Sequence, residues 1–311
     1  LHWAQDRIYR TTNAGKMDNV KVIDMSADGP VVGSFSSELI ELARDKSKTV
    51  LCITNSTGVA RLLACRQCKA VARCEKCDSV VVQSDDSRLH CESCGTDRPL
   101  VCKECNSGAF KNLRRGSARL CTELAKATSR AVTEVTAAGK GEIPNDGPFV
   151  AVGTEALLHR AQGADVVAFI DIDSELNSGF YRANEIVAGL VVRAERLLNE
   201  SGLVLVQTHD PKRSILELLS RGDLTTIVEN EIALRRTLNL PPFSVLAKVS
   251  GAGAANWFAE LSTLQIPIGC DVNSAAGLVR ATDFATLRAL LESVPHVRGE
   301  RVRFAIQPVR A

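Results

Sequence analysis

The sequence predicts an α/β protein with an open, mostly parallel sheet, a cysteine-rich insertion and a smaller second α/β domain. Three short apolar runs, residues 149–152, 165–170 and 203–206, are flanked by polar residues or glycine. Such runs are typical of strands buried on both faces. Because helical patterns alternate with them, we expect a parallel sheet that helices cover on both sides.

The segment before the first cysteine pair predicts a strand, a helix and a second strand. Alternation of apolar and polar residues in 20–24 indicates the first strand. Ser36 or Ser37 can cap the amphipathic helix that follows, because a serine oxygen accepts hydrogen bonds from the amides of the first turn. Residues 49–54 form a buried strand, and the insertion begins shortly after it.

The segment after the insertion continues the alternation. We predict helices at 117–128, 155–161 and 183–199, a strand at 131–135, and two helices within 211–238 that break at Gly222 and Asp223. Pro241 and Pro242 end the last helix. The remaining sequence predicts a small domain with strands at 245–249, 277–280 and 302–306 and helices at 257–264 and 284–294.

Eight cysteines form four pairs, each with two residues between its members. The pairs are Cys65 and Cys68, Cys74 and Cys77, Cys91 and Cys94, and Cys102 and Cys105. A turn of this length directs both thiolates at one tetrahedral ion, so we predict two zinc ions with four sulfur ligands each. Four thiolates leave no open coordination position, which indicates structural rather than catalytic zinc.

Spacing alone leaves adjacent, crossed and nested groupings of the pairs open. We favour the nested one, since the loop between Cys77 and Cys91 contains hairpin-like sequence that would bring the inner pairs together. The predicted ligand sets are Cys65, Cys68, Cys102 and Cys105 for the first zinc, and Cys74, Cys77, Cys91 and Cys94 for the second. A disulfide framework would require an oxidising compartment, for which the sequence carries no signal. His90 is interpreted as an ordinary partly buried histidine, and the other three cysteines as buried thiols.

Composition limits the possible functions. The 311 residues are 45% hydrophobic and 24% charged, which is ordinary for a globular chain with room for two domains. A net charge of +2 is too small to indicate a nucleic-acid partner by itself, and an aromatic content of 4% argues against a broad base-stacking surface. No apolar run has membrane-spanning length and no signal peptide is evident, so we expect a cytoplasmic protein. Because the chain begins with Leu1, we also expect a fragment of a longer protein.

Three local features outside the cysteines are candidate sites. Gly153 and Thr154 follow a predicted strand, where open α/β sheets bind ligands, although an ordinary strand-to-helix turn explains them equally well. Asp171 and Asp173 follow the next strand, and we favour a turn cap over a metal site. A basic group behind the insertion is the candidate for DNA phosphate contact, although a solvated helix face explains it nearly as well: Lys111, Arg114, Arg115 and Arg119.

The insertion's own charges are balanced, which favours a protein partner for its surface. No GxxxxGK[ST] loop occurs in the sequence, so a standard ATP-phosphate cradle is not expected within it.

Several motifs together carry a family resemblance. They are Ile53-Thr-Asn55, Gly58-Val-Ala60, Leu63-Ala-Cys65, the four cysteine pairs, Asn106-Ser-Gly108, Gly116-Ser-Ala-Arg-Leu120, Val152-Gly-Thr154, Asp171-Ile-Asp173, Tyr181-Arg-Ala-Asn-Glu185, Gln207-Thr208, Glu231, Arg235-Arg236 and Leu240-Pro-Pro-Phe243. In this order they resemble the PriA family of primosomal replication restart proteins, superfamily-two DNA helicases that recognise stalled forks.

The resemblance implies a domain plan. Residues 20–64 and 110–238 would form the second RecA-like helicase lobe, 65–109 the zinc-binding insertion and 239–311 the C-terminal domain. Residues 1–19 would be a linker or the tail of a preceding, ATP-binding lobe. In the family the eight cysteines bind two zinc ions in the nested arrangement, the zinc module serves partner contacts and strand unwinding, and the C-terminal domain contributes to binding branched DNA.

The sequence departs from the family where ATP is handled. The resemblance implies a glycine- and arginine-rich run whose arginines reach the ATP phosphates, and here residues 189–196 keep only Arg193 and Arg196 of it. With Gly153 and Thr154, these two arginines are the candidate nucleotide-binding residues. Because such arginines contribute several kcal/mol to transition-state stabilisation, the losses indicate an inactive helicase, as in degenerate actinobacterial forms, and make ATP a doubtful cofactor.

These patterns and the resemblance together indicate three candidate functions. The leading one is a replication restart protein that binds forked DNA and other primosome proteins with little or no helicase activity. The first alternative is an active ATP-dependent 3'-5' DNA helicase whose ATP-binding lobe precedes this chain. The second alternative is a zinc-dependent protein-interaction module without a DNA role.

Overall fold

The computed structural model describes residues 19–26, 34–54, 63–76, 81–83, 87–91, 95–112, 117–135, 142–144, 147–295 and 301–309. Its strands are β1 (Val20–Asp24), β2 (Val50–Ile53), β3 (Leu63–Cys65), β4 (Val82–Gln83), β5 (Arg88–His90), β6 (Asp97–Pro99), β7 (Phe110–Asn112), β8 (Val132–Val135), β9 (Val150–Gly153), β10 (Ala164–Phe169), β11 (Leu198–Thr208), β12 (Val245–Ser250), β13 (Cys270–Asn273), β14 (Leu278–Ala281) and β15 (Arg303–Ile306). Its helices are α1 (Ser37–Arg44), α2 (Ser117–Thr128), α3 (Ala156–Arg160), α4 (Ile172–Leu176), α5 (Ala183–Glu195), α6 (Ser214–Ser220), α7 (Leu224–Thr237), α8 (Ala254–Thr263) and α9 (Phe284–Ser293).

The main sheet is the predicted parallel one. Within the described residues it has six strands in the order β1-β11-β10-β2-β9-β8, and every neighbouring pair is parallel. Its central strands are continuously apolar: all four residues of β2 and all four of β9 are buried. This confirms the predicted fold class, and the sheet with its flanking helices fits a RecA-like α/β lobe.

Two apolar cores cover the two faces of this sheet. Leu51 on β2 packs into one core with Val187 of α5 and Leu216 of α6. Its neighbour Cys52 points to the other face and packs with Leu39 of α1 and Leu124 of α2. The alternation arises because successive side chains of a strand point to opposite faces.

Helix α1 begins as the sequence predicts. Ser36 is the N-cap, and its hydroxyl oxygen accepts a hydrogen bond from the Leu39 amide at 3.2 Å. The Ser36 amide donates to the side chain of Gln207 on β11 at 2.7 Å, and Gln207 also donates to the Ser34 carbonyl at 2.9 Å. Gln207 therefore ties the start of α1 to the main sheet.

The predicted helix at 183–199 is too long. Helix α5 ends at Glu195, and Leu198 is already paired with Ala164 of β10 at the start of β11. The Leu197 carbonyl accepts from the Ala164 amide at 2.9 Å, and Asn199 donates to Asp165 at 2.8 Å. Pairing with the neighbouring strand thus overrides the helical pattern of this segment.

A separate four-stranded antiparallel sheet forms the C-terminal part, in the order β13-β14-β12-β15. Helices α8 and α9 cover one face, where Trp257 and Leu290 pack on Val249 and Val279. Strand β13 was not predicted, because Cys270–Asn273 has no strong apolar alternation. Of the described helices, none is both long and apolar enough to span a bilayer.

Two glycines provide a stability test of the main sheet. A Cβ at Gly153 would lie 2.2 Å from the Val135 carbonyl oxygen, whereas a Cβ at Gly189 in α5 would have no atom within 4 Å. We predict that Gly153→Ala lowers the free energy of unfolding by about 1–3 kcal/mol through overpacking. The control Gly189→Ala should raise it by about 0.5–1 kcal/mol, because alanine favours the helix. Urea unfolding measures both, and equal effects of the two substitutions would contradict this packing.

Candidate metal centre and the edge of the main sheet

The insertion leaves the lobe after β2 and is closed at its base by a short ladder. Strands β3 and β7 are antiparallel, and Ala64 pairs with Lys111 while Cys65 pairs with Phe110. The Arg66 amide extends the ladder by donating to the Ala109 carbonyl at 2.8 Å. The two ends of the insertion therefore lie side by side, which brings the first and last cysteine pairs together.

The first and last pairs share one local conformation. Four residues after the first cysteine of each pair, Lys69 and Asn106 have φ values of 65° and 55°. Their amides donate to the carbonyls of Cys65 and Cys102 at 3.0 and 2.9 Å. Non-glycine residues rarely adopt positive φ. Its repetition at equivalent positions identifies two copies of the same tight turn.

The four outer cysteines converge in space. The sulfur atoms of Cys65, Cys68, Cys102 and Cys105 all lie within 4.8 Å of one another. The Cys65–Cys105 and Cys68–Cys102 sulfur pairs are each 3.5 Å apart. Tetrahedral zinc with Zn–S bonds of about 2.3 Å requires sulfur separations of about 3.8 Å, so the cluster fits the ion closely. These are the residues that the nested grouping assigns to the first zinc.

The thiols of this cluster differ in how readily they ionise. Hydrogen bonds from the backbone amides of Cys68 and Gln67 lower the pKa of Cys65 to about 6. Against backbone hydrogen bonds that lower it, burial and the neighbouring thiols raise the pKa of Cys68 and of Cys105. A thiol that ionises at lower pH is a better metal ligand, because the thiolate is the form that coordinates. A bound Zn²⁺ would be held by sulfur alone and would fix the base of the insertion, with no open position for substrate.

The inner pairs are described in part. Cys74 and Cys91 are buried in the apolar cluster of the insertion, with Leu89 among their neighbours, whereas Cys77 and Cys94 lie outside the described residues. Gly95, four residues after Cys91, has a φ of 70°, and its amide donates to the Cys91 carbonyl at 2.8 Å. Gly95 therefore repeats the positive φ and the hydrogen bond to the first cysteine that Lys69 and Asn106 show.

The predicted hairpin between the inner pairs is present, since Val82 of β4 pairs with His90 of β5. His90 is not in the four-cysteine cluster. Its Nδ1 lies 2.9 Å from Asp97 Oδ1, so this histidine has a carboxylate partner on the neighbouring strand β6.

Polar groups gather at the carboxyl edge of the main sheet. Asp173 of α4 is 4% exposed, and its carboxylate accepts from the Thr208 hydroxyl at 2.5 Å and from the His209 amide at 2.7 Å. Asp171 accepts from the Ser174 hydroxyl at 2.7 Å. Asp171 thus bonds within its own turn, although it has no side-chain capping hydrogen bond to the backbone of α4, and Asp173 joins α4 to the end of β11.

Within the part of the chain that the structure describes, Arg73 joins the insertion to this edge. Arg73 Nη2 donates to Asn177 Oδ1 at 3.1 Å, and Arg213 Nη1 donates to the same oxygen at 3.0 Å. Burial and the nearby Arg73 guanidinium lower the pKa of Arg213 from its usual value, although Asp210 and Asp173 oppose the shift. Sequence reasoning missed all three residues, since no local motif marks them.

The predicted nucleotide-binding residues do not lie together in the structure. Arg193 and Arg196 line a cleft of about 660 Å³ between α3 and α5. Gly153 and Thr154 are not among the residues that line it. The Thr154 amide donates to the Val135 carbonyl at 3.2 Å, so it is engaged within the sheet and not available to a phosphate.

The predicted DNA-binding residues are only partly described. Lys111 lies in β7, at the base of the insertion, while Arg114 and Arg115 lie outside the described residues. Arg119 is on α2, 70% exposed, and pairs with Glu123 one turn later at 3.0 Å. The described part of this group therefore contains one exposed, paired arginine.

The sequence is similar to curated bacterial replication proteins, although no family model matches it. It is 27% identical over 268 residues to replication restart protein PriA of Haemophilus influenzae, covering 79% of this chain and 36% of that protein. It is 26% identical to PriA of Bacillus subtilis over 266 residues, 75% of this chain and 32% of that protein, and 26% identical to PriA of Thermotoga maritima over 260 residues, 75% and 34%. The chain is thus PriA-like over most of its length and spans about a third of these relatives.

The outer cluster makes a prediction about bound metal. Cys102→Ser should reduce the zinc content of the purified protein by about one ion per chain, because it removes one of four ligands. Cys270→Ser is the matched control, since Cys270 lies in β13 outside the cluster and should leave the zinc content unchanged. Elemental analysis measures both. Zinc retained in full by Cys102→Ser would contradict the assignment.

Proposed function

We propose that this chain is part of a PriA-like replication restart protein that binds forked DNA and other primosome proteins with little or no helicase activity. The observation that carries the proposal is the placement of the insertion. A four-cysteine cluster closes a module inserted directly after central strand β2 of a six-stranded parallel sheet. The PriA relatives, to which most of the chain is similar in sequence, carry the name of replication restart proteins.

Zinc in this proposal has a structural role. We propose two ions per chain, one held by the outer cysteines and one by Cys74, Cys77, Cys91 and Cys94, as the nested grouping requires. The positive φ and the hydrogen bond to the first cysteine recur four residues after Cys65, Cys91 and Cys102, which supports an inner site of the same kind. We propose the same domain division as the sequence predicts, and a cytoplasmic location, where reduced thiols can bind zinc.

The shape of α5 supports the loss of helicase activity. Leu190 and Val192 line the cleft beside the arginines, where the resemblance implies a glycine-rich run. Side chains there keep the helix backbone from a close approach to phosphates, which glycine would allow. The engaged amide of Thr154 supports the same conclusion.

A nucleotide-dependent helicase is the second candidate, and one observation favours it. Arg193 and Arg196 are exposed, lie one turn apart at the end of α5 and form no ion pair within the described part of the chain. Arginines that reach across to a second lobe to contact ATP phosphates would be left unpaired in this way. The ATP-binding lobe would then be supplied by a part of the protein outside this chain.

ATP hydrolysis by the full-length natural protein separates the two candidates. We expect forked DNA to leave the hydrolysis rate unchanged, and Arg193→Ala to have no effect on it, because the phosphate-contacting run is incomplete. Stimulation by the fork that Arg193→Ala abolishes would establish the helicase instead. Arg288→Ala, on the remote helix α9, controls for the loss of one positive charge.

Fork binding is expected to weaken as salt rises, because phosphate contacts release condensed counterions. The measurement is the dissociation constant of the zinc-loaded protein for a labelled fork between about 50 and 200 mM salt. A protein-interaction module without a DNA role would show no fork binding, or binding that does not respond to salt.

A further inference from the structure

Two arginines from distant parts of the chain converge at the seam between the insertion and the main sheet. Arg73 belongs to the insertion, and Arg213 precedes helix α6. Both donate to Asn177 Oδ1, at 3.1 and 3.0 Å, and Arg213 Nη2 also donates to the Leu176 carbonyl at 3.0 Å. Both side chains are partly buried. The seam therefore places two guanidinium groups around one neutral oxygen.

Within the described part of the chain, nearby carboxylates offset the positive charge of Arg213 without a direct ion pair. A guanidinium usually takes a carboxylate or phosphate through two parallel hydrogen bonds. Among the described residues Arg213 forms no ion pair, although Asp210 and Asp173 lie near it. The Asp173 carboxylate already accepts from Thr208 and His209. The amide oxygen of Asn177 offers Arg213 only a neutral acceptor, which it shares with Arg73. The donors of Arg213 therefore remain suited to an anion.

Arg213 and Asn177 lie at the edge of the main sheet where open α/β folds bind their ligands. Parallel strands end at a common edge, and open α/β sheets bind ligands outside the carboxyl ends of their strands. Arg213 follows β11. Asn177 follows α4, the helix that comes after β10, so both residues belong to this edge. Arg98 of β6 supports the insertion's side, since its Nη2 donates to the Arg73 carbonyl at 3.2 Å. The site is thus built from the sheet edge and the insertion together.

We propose that Arg73 and Arg213 bind one backbone phosphate of the nucleic acid at this seam. The inference rests on the DNA-binding part of the proposed function and adds the residues that perform it. A backbone phosphate can accept hydrogen bonds from two planar guanidinium groups. It carries no sequence information, which suits a protein that recognises the shape of a fork. A phosphate bound here would also bridge the insertion to the sheet edge.

The competing explanation is that the contact with Asn177 only fastens the insertion to the sheet, as a structural latch. A latch needs only one guanidinium to reach Asn177, whose amide nitrogen already donates to the Asp173 carbonyl at 2.8 Å. The second guanidinium brings a like charge close to the first, and this repulsion opposes the gain from its hydrogen bond. A latch predicts changes in stability on substitution, whereas a phosphate site predicts changes in affinity and in its salt dependence.

The first experiment uses the zinc-loaded, full-length protein and a labelled fork. Arg73→Gln and Arg213→Gln should each raise the dissociation constant about tenfold, the effect of a lost charged hydrogen bond. The double variant should reduce the slope of log K against log salt by about 0.9, which corresponds to one phosphate. Arg288→Gln on α9, whose side chain is 77% exposed and pairs with Glu292, removes the same charge elsewhere and should leave both quantities unchanged.

The outcomes distinguish this inference from the proposed function. If the wild-type protein binds forks and the double variant matches Arg288→Gln in affinity and slope, the seam site is wrong and the proposed function stands. If the wild-type protein shows no salt-dependent fork binding, both fail.

A second experiment avoids any effect of substitution on folding. The wild-type protein is treated with phenylglyoxal, which modifies arginine side chains, with and without the fork, and the modified peptides are quantified by mass spectrometry. We expect the fork to slow modification of Arg73 and Arg213 but not of Arg288. Equal rates at the two seam arginines with and without DNA would overturn the proposal.

Discussion

The pairing of β3 with β7 is the constraint on which the rest of the insertion depends. The chain leaves the main sheet after β2 and must return to α2, so both ends of the insertion start from one side of the lobe. Cys65 opposite Phe110 fixes the register at this base. That register brings the first and last cysteine pairs within 4.8 Å of one another and makes a four-sulfur site out of residues as many as forty positions apart.

The parallel sheet supplies the edge that the insertion contacts. Because its strands run in one direction, the residues after β2, β9, β10 and β11 meet at a single edge. Asp173 and Thr208 satisfy each other there in a buried hydrogen bond. This arrangement holds α4 in place, so that Asn177 can meet Arg73 from the insertion. Folding of the sheet and docking of the insertion are thus linked through neutral and charged hydrogen bonds at one place.

Much of this fold can be predicted from local sequence patterns. Buried strands such as β2, β9 and β10 are largely apolar over four to six residues, and α2 spans the predicted 117–128. Local patterns fail where long-range pairing decides, as at Leu198, which continues a helical pattern but pairs with Ala164. They also fail at β13, which pairs with β14 without an apolar signature of its own.

The residues of the candidate sites also differ in whether local sequence patterns predict them. The spacing within each cysteine pair is local, so metal ligation was foreseeable from the sequence, whereas the grouping of the pairs depends on how the insertion folds back. Arg73 and Arg213 lie 104 and 36 positions from Asn177, and nothing in the sequence near any of them marks the contact. Contacts of this kind become visible only when the fold is known.

Hydrogen–deuterium exchange on the zinc-loaded full-length protein tests the central claim most directly, namely that the insertion and the sheet edge bind forked DNA as one surface. The account predicts that a fork slows backbone exchange together in two regions, residues 63–76 of the insertion and residues 173–178 of the sheet edge. Exchange in α9 should not change. Slower exchange in neither region, or in only one of them, would contradict the account.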